Sequence, residues 1–83
     1  MDGIDIAIES FKENLNDLKI RLSQLRKKGI NAKIAELRIM QIPAKIKMAE
    51  ITKENKDAQK IMVLLNAAKQ EIEELEKESL NRQ

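Results

Sequence analysis

The sequence predicts an all-α protein, an antiparallel three-helix bundle with helices over about 4–28, 32–54 and 57–80. Apolar residues recur at alternating spacings of four and three along most of the chain, which places them on one stripe of a helix. The three predicted helices have matching lengths, as an up-down-up bundle requires. Only one aromatic residue is present among 83, so isoleucine and leucine must supply the core. We expect a single domain over 1–83.

The first helix is predicted from an uninterrupted seven-residue apolar repeat. Acidic residues in its first turn and basic residues in its last turn favour the helix dipole. Gly29 is predicted to end the helix in the left-handed conformation, and Asn31 is the capping residue that would start the second helix. The repeat predicts one buried stripe, formed by Ile4, Ile8, Phe11, Leu15, Leu18, Leu22 and Leu25.

The second helix carries two apolar rows instead of one, and Pro43 falls in its middle. A helix this apolar is covered on two sides, by two neighbours or by one neighbour and a partner chain. A kink at Pro43 is favoured over a break, because Ile42 before it is not a capping residue. One row comprises Ala35, Ile39, Ile42, Ile46 and Ala49, and the other comprises Ile34, Leu37, Met40, Ala44, Met48 and Ile51.

The third helix is predicted over about 57–80, but its junction with the second is weakly marked. The segment from Thr52 to Ala58 contains neither glycine nor proline. An alternative is a helical hairpin with one long helix over 32–80, in which Asn55 is a buried polar register residue and two chains form a swapped dimer. In either arrangement the predicted stripe is Ala58, Ile61, Leu65, Ala68, Ile72 and Leu75.

Charge is segregated along the chain. Residues 1–17 hold five acids and one lysine, residues 18–53 hold ten bases and two acids, and residues 54–83 are again acidic. An antiparallel bundle would bring oppositely charged segments together at both ends. We expect the bases from Arg26 to Lys33 beside Glu71, Glu73, Glu74, Glu76 and Glu78, and Asp2, Asp5 and Glu9 beside Lys53, Lys56 and Lys60.

Catalysis is not expected, because the sequence has no histidine or cysteine and general acid–base or nucleophilic chemistry needs an activated group. Glu71, Glu74 and Glu78 share a helix face, but di-iron bundles pair such glutamates with histidine, so neither a metal nor another cofactor is predicted. The first residues do not resemble a signal peptide, and no apolar run is long enough to span a bilayer. A cytoplasmic location is therefore expected, with no membrane partner.

The double row on the second helix indicates a non-catalytic protein–protein interaction or assembly module. Its docking residues would be Met40, Ala44, Met48 and Ile51, and its partner would be another protein or a second copy in a homo-oligomer. The alternative function is that of a nucleic-acid-binding accessory protein. That alternative uses the basic tip between the first two helices, formed by Arg26, Lys27, Lys28 and Lys33.

Overall fold

A computed structural model describes residues 3–81 and contains three α-helices, α1 (Gly3–Lys27), α2 (Lys33–Thr52) and α3 (Asn55–Asn81). Each helix packs against the other two, and residues 3–81 include no β-strand. Two short connections reverse the chain direction twice in a body of 47 × 20 × 16 Å. The predicted all-α three-helix bundle is confirmed, with every helix end within two residues of the prediction.

The connection between α1 and α2 has the predicted glycine turn. Gly29 adopts a φ of 81°, a conformation that is open to glycine without a steric cost. The Gly29 N–H donates to the Arg26 carbonyl at 3.0 Å, and the Ile30 N–H donates to the Leu25 carbonyl at 3.1 Å. These two bonds satisfy the last carbonyls of α1 in a Schellman motif. The N-cap position of α2 is Ala32 and not Asn31, and Ala32 forms no side-chain capping bond. Asn31, one residue earlier, accepts the Lys33 N–H through its Oδ1 at 3.2 Å.

The connection between α2 and α3 is a true turn, so the alternative of one helix over 32–80 is wrong. Lys53 lies in the left-handed region at φ 56°, and its N–H donates to the Ala49 carbonyl at 2.9 Å. The Thr52 hydroxyl donates to an Asp57 carboxylate oxygen at 2.5 Å and accepts the Glu54 N–H at 3.3 Å. Side-chain bonds of this kind compete with helix continuation. Asn55 is consequently exposed and is not a buried register residue.

α2 continues through Pro43 without a break. Proline supplies no N–H for the carbonyl four residues earlier, which here belongs to Ile39. Pro43 itself is exposed, whereas Ile42 and Ile46 on either side of it are buried against the other helices. Packing on both sides of the proline therefore holds the helix together where one backbone bond is missing.

The core consists of one stripe from each helix. Ile42, Ile61 and Ile72 are the largest fully buried side chains, and buried alanines on α2 and α3 allow the backbones to approach closely. Ala58 and Leu75 are only half-buried against this core, while Ser79 is buried beyond the predicted end of the stripe. The predicted stripe of α1 and the first predicted row of α2 are buried in full: Ile4, Ile8, Phe11, Leu15, Leu18, Leu22, Leu25, Ala35, Ile39, Ile42, Ile46 and Ala49.

Ion pairs connect the helices at both ends of the bundle, and they match the predicted charge pairing in part. Lys53 at the second turn pairs with Asp5 of α1, as expected. Two further predicted pairings are replaced by local ones, since Lys56 pairs with Glu54 and Glu9 pairs with Lys12. Asp2, which was expected in the same group, lies outside the described residues.

The two isoleucines of α2 that differ most in exposure provide a direct test of this packing. Ile42 is fully buried, whereas Ile51 is 74% exposed. We expect Ile42→Ala to lower the free energy of unfolding by about 2–4 kcal/mol because it removes core methyl groups and leaves a cavity. Ile51→Ala should change it by less than about 0.5 kcal/mol. Urea unfolding followed by circular dichroism measures both changes. Equal losses of stability would contradict the assignment of Ile42 to a buried row and Ile51 to an exposed one.

Candidate protein-docking face

The second apolar row of α2 lies in solvent. Its large members are exposed by half or more, with Ile51 at 74%, Met40 at 66% and Ile34 at 59%. Within residues 3–81 no other helix covers this side of α2. We call this row the outer face of α2, and it consists of Ile34, Leu37, Met40, Ala44, Met48 and Ile51.

The geometry of the helix explains why the outer face stays exposed. At about 100° per residue, the buried row centred on Ile42 and the row centred on Ala44 point to nearly opposite sides of the axis. α1 and α3 both lie on the buried side, since each packs against the other as well as against α2. The described part of the chain therefore provides no further helix to cover the outer face.

Four bases border the outer face. Lys33, Arg38, Lys45 and Lys47 are all exposed, and no ion pair holds any of them within the described part of the chain. The two acids of α2 point away from this border. Glu36 pairs with Arg26 of α1 at 3.7 Å, and Glu50 pairs with Lys12 of α1 at 3.6 Å. The side of α2 that faces solvent is thus both apolar and positively charged.

An open groove adjoins the C-terminal half of the outer face, between the end of α2 and the start of α3. It has a volume of about 480 Å³, and Ala44 and Met48 form part of its wall. Its polar lining includes Lys56, whose pKa is raised above its ordinary value by a hydrogen bond to Glu54. The groove widens the apolar surface next to α2, and its lining is Ala44, Lys45, Met48, Thr52, Glu54, Lys56, Asp57 and Lys60.

The basic tip also forms in the structure, at the opposite end of the bundle from the α2–α3 turn. Arg26 forms an ion pair with Glu36. Lys27, Lys28 and Lys33 are exposed and form no ion pair within residues 3–81. An open depression between the two helices is lined by Arg26, Gly29, Ile30, Asn31, Ala32, Lys33 and Glu36. The four predicted residues therefore share one end of the molecule.

The acidic end of α3 pairs with Arg21 of α1, and not with the bases from Arg26 to Lys33 that were predicted as its partners. Arg21 donates Nε and one terminal nitrogen to the Glu76 carboxylate at 3.0 and 2.5 Å. That hydrogen bonding lowers the pKa of Glu76 against the opposing effect of burial, and the charges of Arg21 and then Lys28 lower it further. The same contact raises the pKa of Arg21. Of the predicted pairing between the basic tip and this acidic end, the structure shows only the smaller effect of the Lys28 charge on the pKa of Glu76.

The rest of the described chain offers few other sites. Among residues 3–81 no three acidic side chains, Glu71, Glu74 and Glu78 included, converge in a way that could hold a metal ion. No described buried side-chain nitrogen or oxygen lacks a hydrogen-bond partner. None of the three helices, over their described residues, is long and apolar enough to cross a membrane.

Comparison with known proteins gives no relative: no family model, curated protein or solved structure matches this chain.

The border of bases is the part of the candidate site that the sequence interpretation missed. Met40, Ala44, Met48 and Ile51 were predicted as docking residues, and the structure places them together on the outer face. The sequence pattern shows one positive block over 18–53, of which only the tip is assigned to a site. Assigning each base of α2 to its angular position on the helix places Arg38, Lys45 and Lys47 beside the outer face, together with Lys33, which belongs to both the tip and the border.

The Arg21–Glu76 pair makes stability depend on pH in a predictable direction. Because the pKa of Glu76 is lower in the folded protein, the stabilisation is complete above the ordinary pKa of 4.5 and is lost as the pH falls below it. Glu76→Gln should lower the free energy of unfolding at neutral pH by about 0.5–1 kcal/mol, as for a partly exposed pair. The difference from wild type should shrink toward about pH 3.

Glu74→Gln is the matched control on the same helix, because Glu74 is exposed and forms no ion pair within the described residues. Urea unfolding at a series of pH values measures both variants. A deficit of Glu76→Gln that stays constant down to about pH 3, or an equal deficit for Glu74→Gln, would contradict the assignment.

Proposed function

We propose that this protein is a non-catalytic protein-interaction or assembly module that docks a helix of its partner on the outer face of α2. One observation carries the proposal: α2 has two apolar rows, and the three-helix bundle buries only one of them. Exposed apolar surface that is continuous over several helical turns is typical of interaction sites. The partner is another protein or a second copy of the chain.

The chemistry of the outer face suits helix docking. Two methionines, Met40 and Met48, supply flexible, polarisable side chains that adapt to a partner surface. Isoleucine and leucine supply the remaining large contacts, and removing their apolar area from water favours association. From Ile34 to Ile51 the face is about 26 Å long, at 1.5 Å per residue. A partner helix of about five turns would cover it.

A single substitution tests the docking proposal. Ile51→Lys places a charge on the outer face at a position that is 74% exposed, so the fold should be unaffected. We expect it to abolish self-association in sedimentation velocity, or to remove particular proteins from those cross-linked to the wild type in cell extract. Ile20→Lys is the matched control, because Ile20 is 52% exposed and lies on α1, away from this face.

The proposal is contradicted if the wild type is monomeric and Ile51→Lys captures the same proteins as Ile20→Lys. Circular dichroism should first show equal helicity for all three proteins. The cytoplasmic location and the lack of catalysis that the sequence indicates remain predictions.

We propose nucleic-acid binding through the basic tip as the second candidate function. It is supported by the position of Lys27, Lys28 and Lys33, which share one end of the bundle and form no ion pair within residues 3–81. Such a cluster would contact phosphates without reading bases, because the chain offers one aromatic residue and that residue, Phe11, is buried.

This second candidate predicts binding that depends steeply on salt. Retention on duplex DNA or RNA at about 50 mM salt should fall by at least tenfold at about 200 mM, since counterions are released when bases neutralise phosphates. Replacing Lys27 and Lys28 by glutamate should abolish retention, whereas the same change at Lys69 and Lys77, which are also exposed, should reduce it far less. An absence of retention at the lower salt removes this function.

A further inference from the structure

All members of the outer face of α2 except Met40 have the register of a coiled-coil seam. If Ile34 is assigned to heptad position a, then Gln41 and Met48 also fall at a, and Leu37, Ala44 and Ile51 fall at d. All six are exposed. The seam is apolar except at Gln41, which lies near its middle. A polar residue at one such position fixes the register of a partner helix.

The positions that flank this seam carry positive charges and no acid. Positions g are Lys33, Met40 and Lys47, and positions e are Arg38, Lys45 and Thr52. In coiled coils the charges at these flanking positions determine which partner binds, because positions e and g of the two helices face each other across the interface. The two acids of α2 lie outside them and are bound to α1.

A second copy of the chain fits this seam poorly. In a parallel pair, positions g of one helix face positions e of the other, and in an antiparallel pair g faces g and e faces e. In this register a parallel pair sets Lys33 against Arg38 of the other copy, whereas an antiparallel pair sets Lys33 against Lys47 and Lys45 against its own copy. Both orientations therefore bring like charges together, and no base meets an acid, which disfavours that pairing. A helix with glutamate or aspartate at e and g would meet all four bases with opposite charge.

We infer that the occupant of the outer face of α2 is an acidic amphipathic helix of another protein, with an apolar seam flanked by carboxylates. This inference rests on the proposed docking function and names the partner's chemistry. The carboxylates would neutralise four bases for which the described chain provides no ion pair, and the partner's apolar seam would cover Ile34, Leu37, Met48 and Ile51.

Two synthetic helical peptides test the inference. Each is roughly 21 residues long, with leucine and isoleucine at a and d and an asparagine opposite Gln41, and the two differ only in having glutamate or lysine at e and g. A dye on the peptide reports binding by fluorescence anisotropy. We expect the acidic peptide to bind at least about tenfold more tightly than the basic one, and its advantage to shrink at about 0.5 M salt.

A charge-reversed protein provides the second arm. Changing Arg38, Lys45 and Lys47 together to glutamate should reverse the preference, so that the basic peptide binds more tightly. The matched control changes Lys19, Lys69 and Lys77 to glutamate, which alters net charge equally at exposed positions off the outer face. This control should keep the preference for the acidic peptide. Ile51→Lys should weaken both peptides, and circular dichroism checks that every variant is folded.

The possible outcomes separate this inference from the proposed function. Equal binding of both peptides, weakened by Ile51→Lys, supports docking on this face and overturns the acidic partner. Self-association that is abolished by Ile51→Lys also supports docking on this face, but it overturns the acidic partner because the occupant is then a second copy of the chain. Binding to vesicles of anionic lipid without binding to the acidic peptide overturns the inference in favour of a membrane surface. Failure of both peptides overturns the inference, and the docking function falls with it only if the wild type is also monomeric and Ile51→Lys leaves the captured proteins unchanged.

Discussion

When three helices pack around a common axis, each helix buries one apolar stripe against the other two. This limit determines which apolar residues remain on the surface of the protein. α1 and α3 each have a single apolar stripe, and the bundle buries it. α2 has two such rows on nearly opposite sides, so one is buried and the other faces water. The second row is exposed because α1 and α3 lie on the other side of α2, and no further helix is present among residues 3–81 to cover it.

The ion pairs of the bundle reinforce this asymmetry. Both acids of α2 point toward α1, where they pair with Lys12 and Arg26. The bases of α2 that remain point outward and border the exposed row. Hydrophobic and electrostatic features therefore coincide on one side of one helix. A binding surface gains affinity from the first and selectivity from the second.

The candidate site was predictable in its apolar part and not in its charged part. Met40, Ala44, Met48 and Ile51 were identified because helical spacing alone places them in one row. The roles of the bases depend on which of them find acids on other helices. Arg26 is neutralised by Glu36, and Arg21 rather than the basic tip holds Glu76. Pairing of this kind depends on the rotation of each helix about its own axis. The net charge of each sequence segment gives no information about that rotation.

The sequence by itself determined the all-α class, the buried stripe of α1 and the glycine turn at Gly29, because apolar spacing and a left-handed residue are local properties. Only the tertiary structure decided whether the chain turns or continues after Thr52. An apolar heptad row runs through this junction, and neither glycine nor proline marks it. The turn is held by the bonds of Thr52 to Asp57 and of Lys53 to Asp5. The second of these joins residues far apart in the chain, and such a contact exists only after the end of α2 has packed against α1.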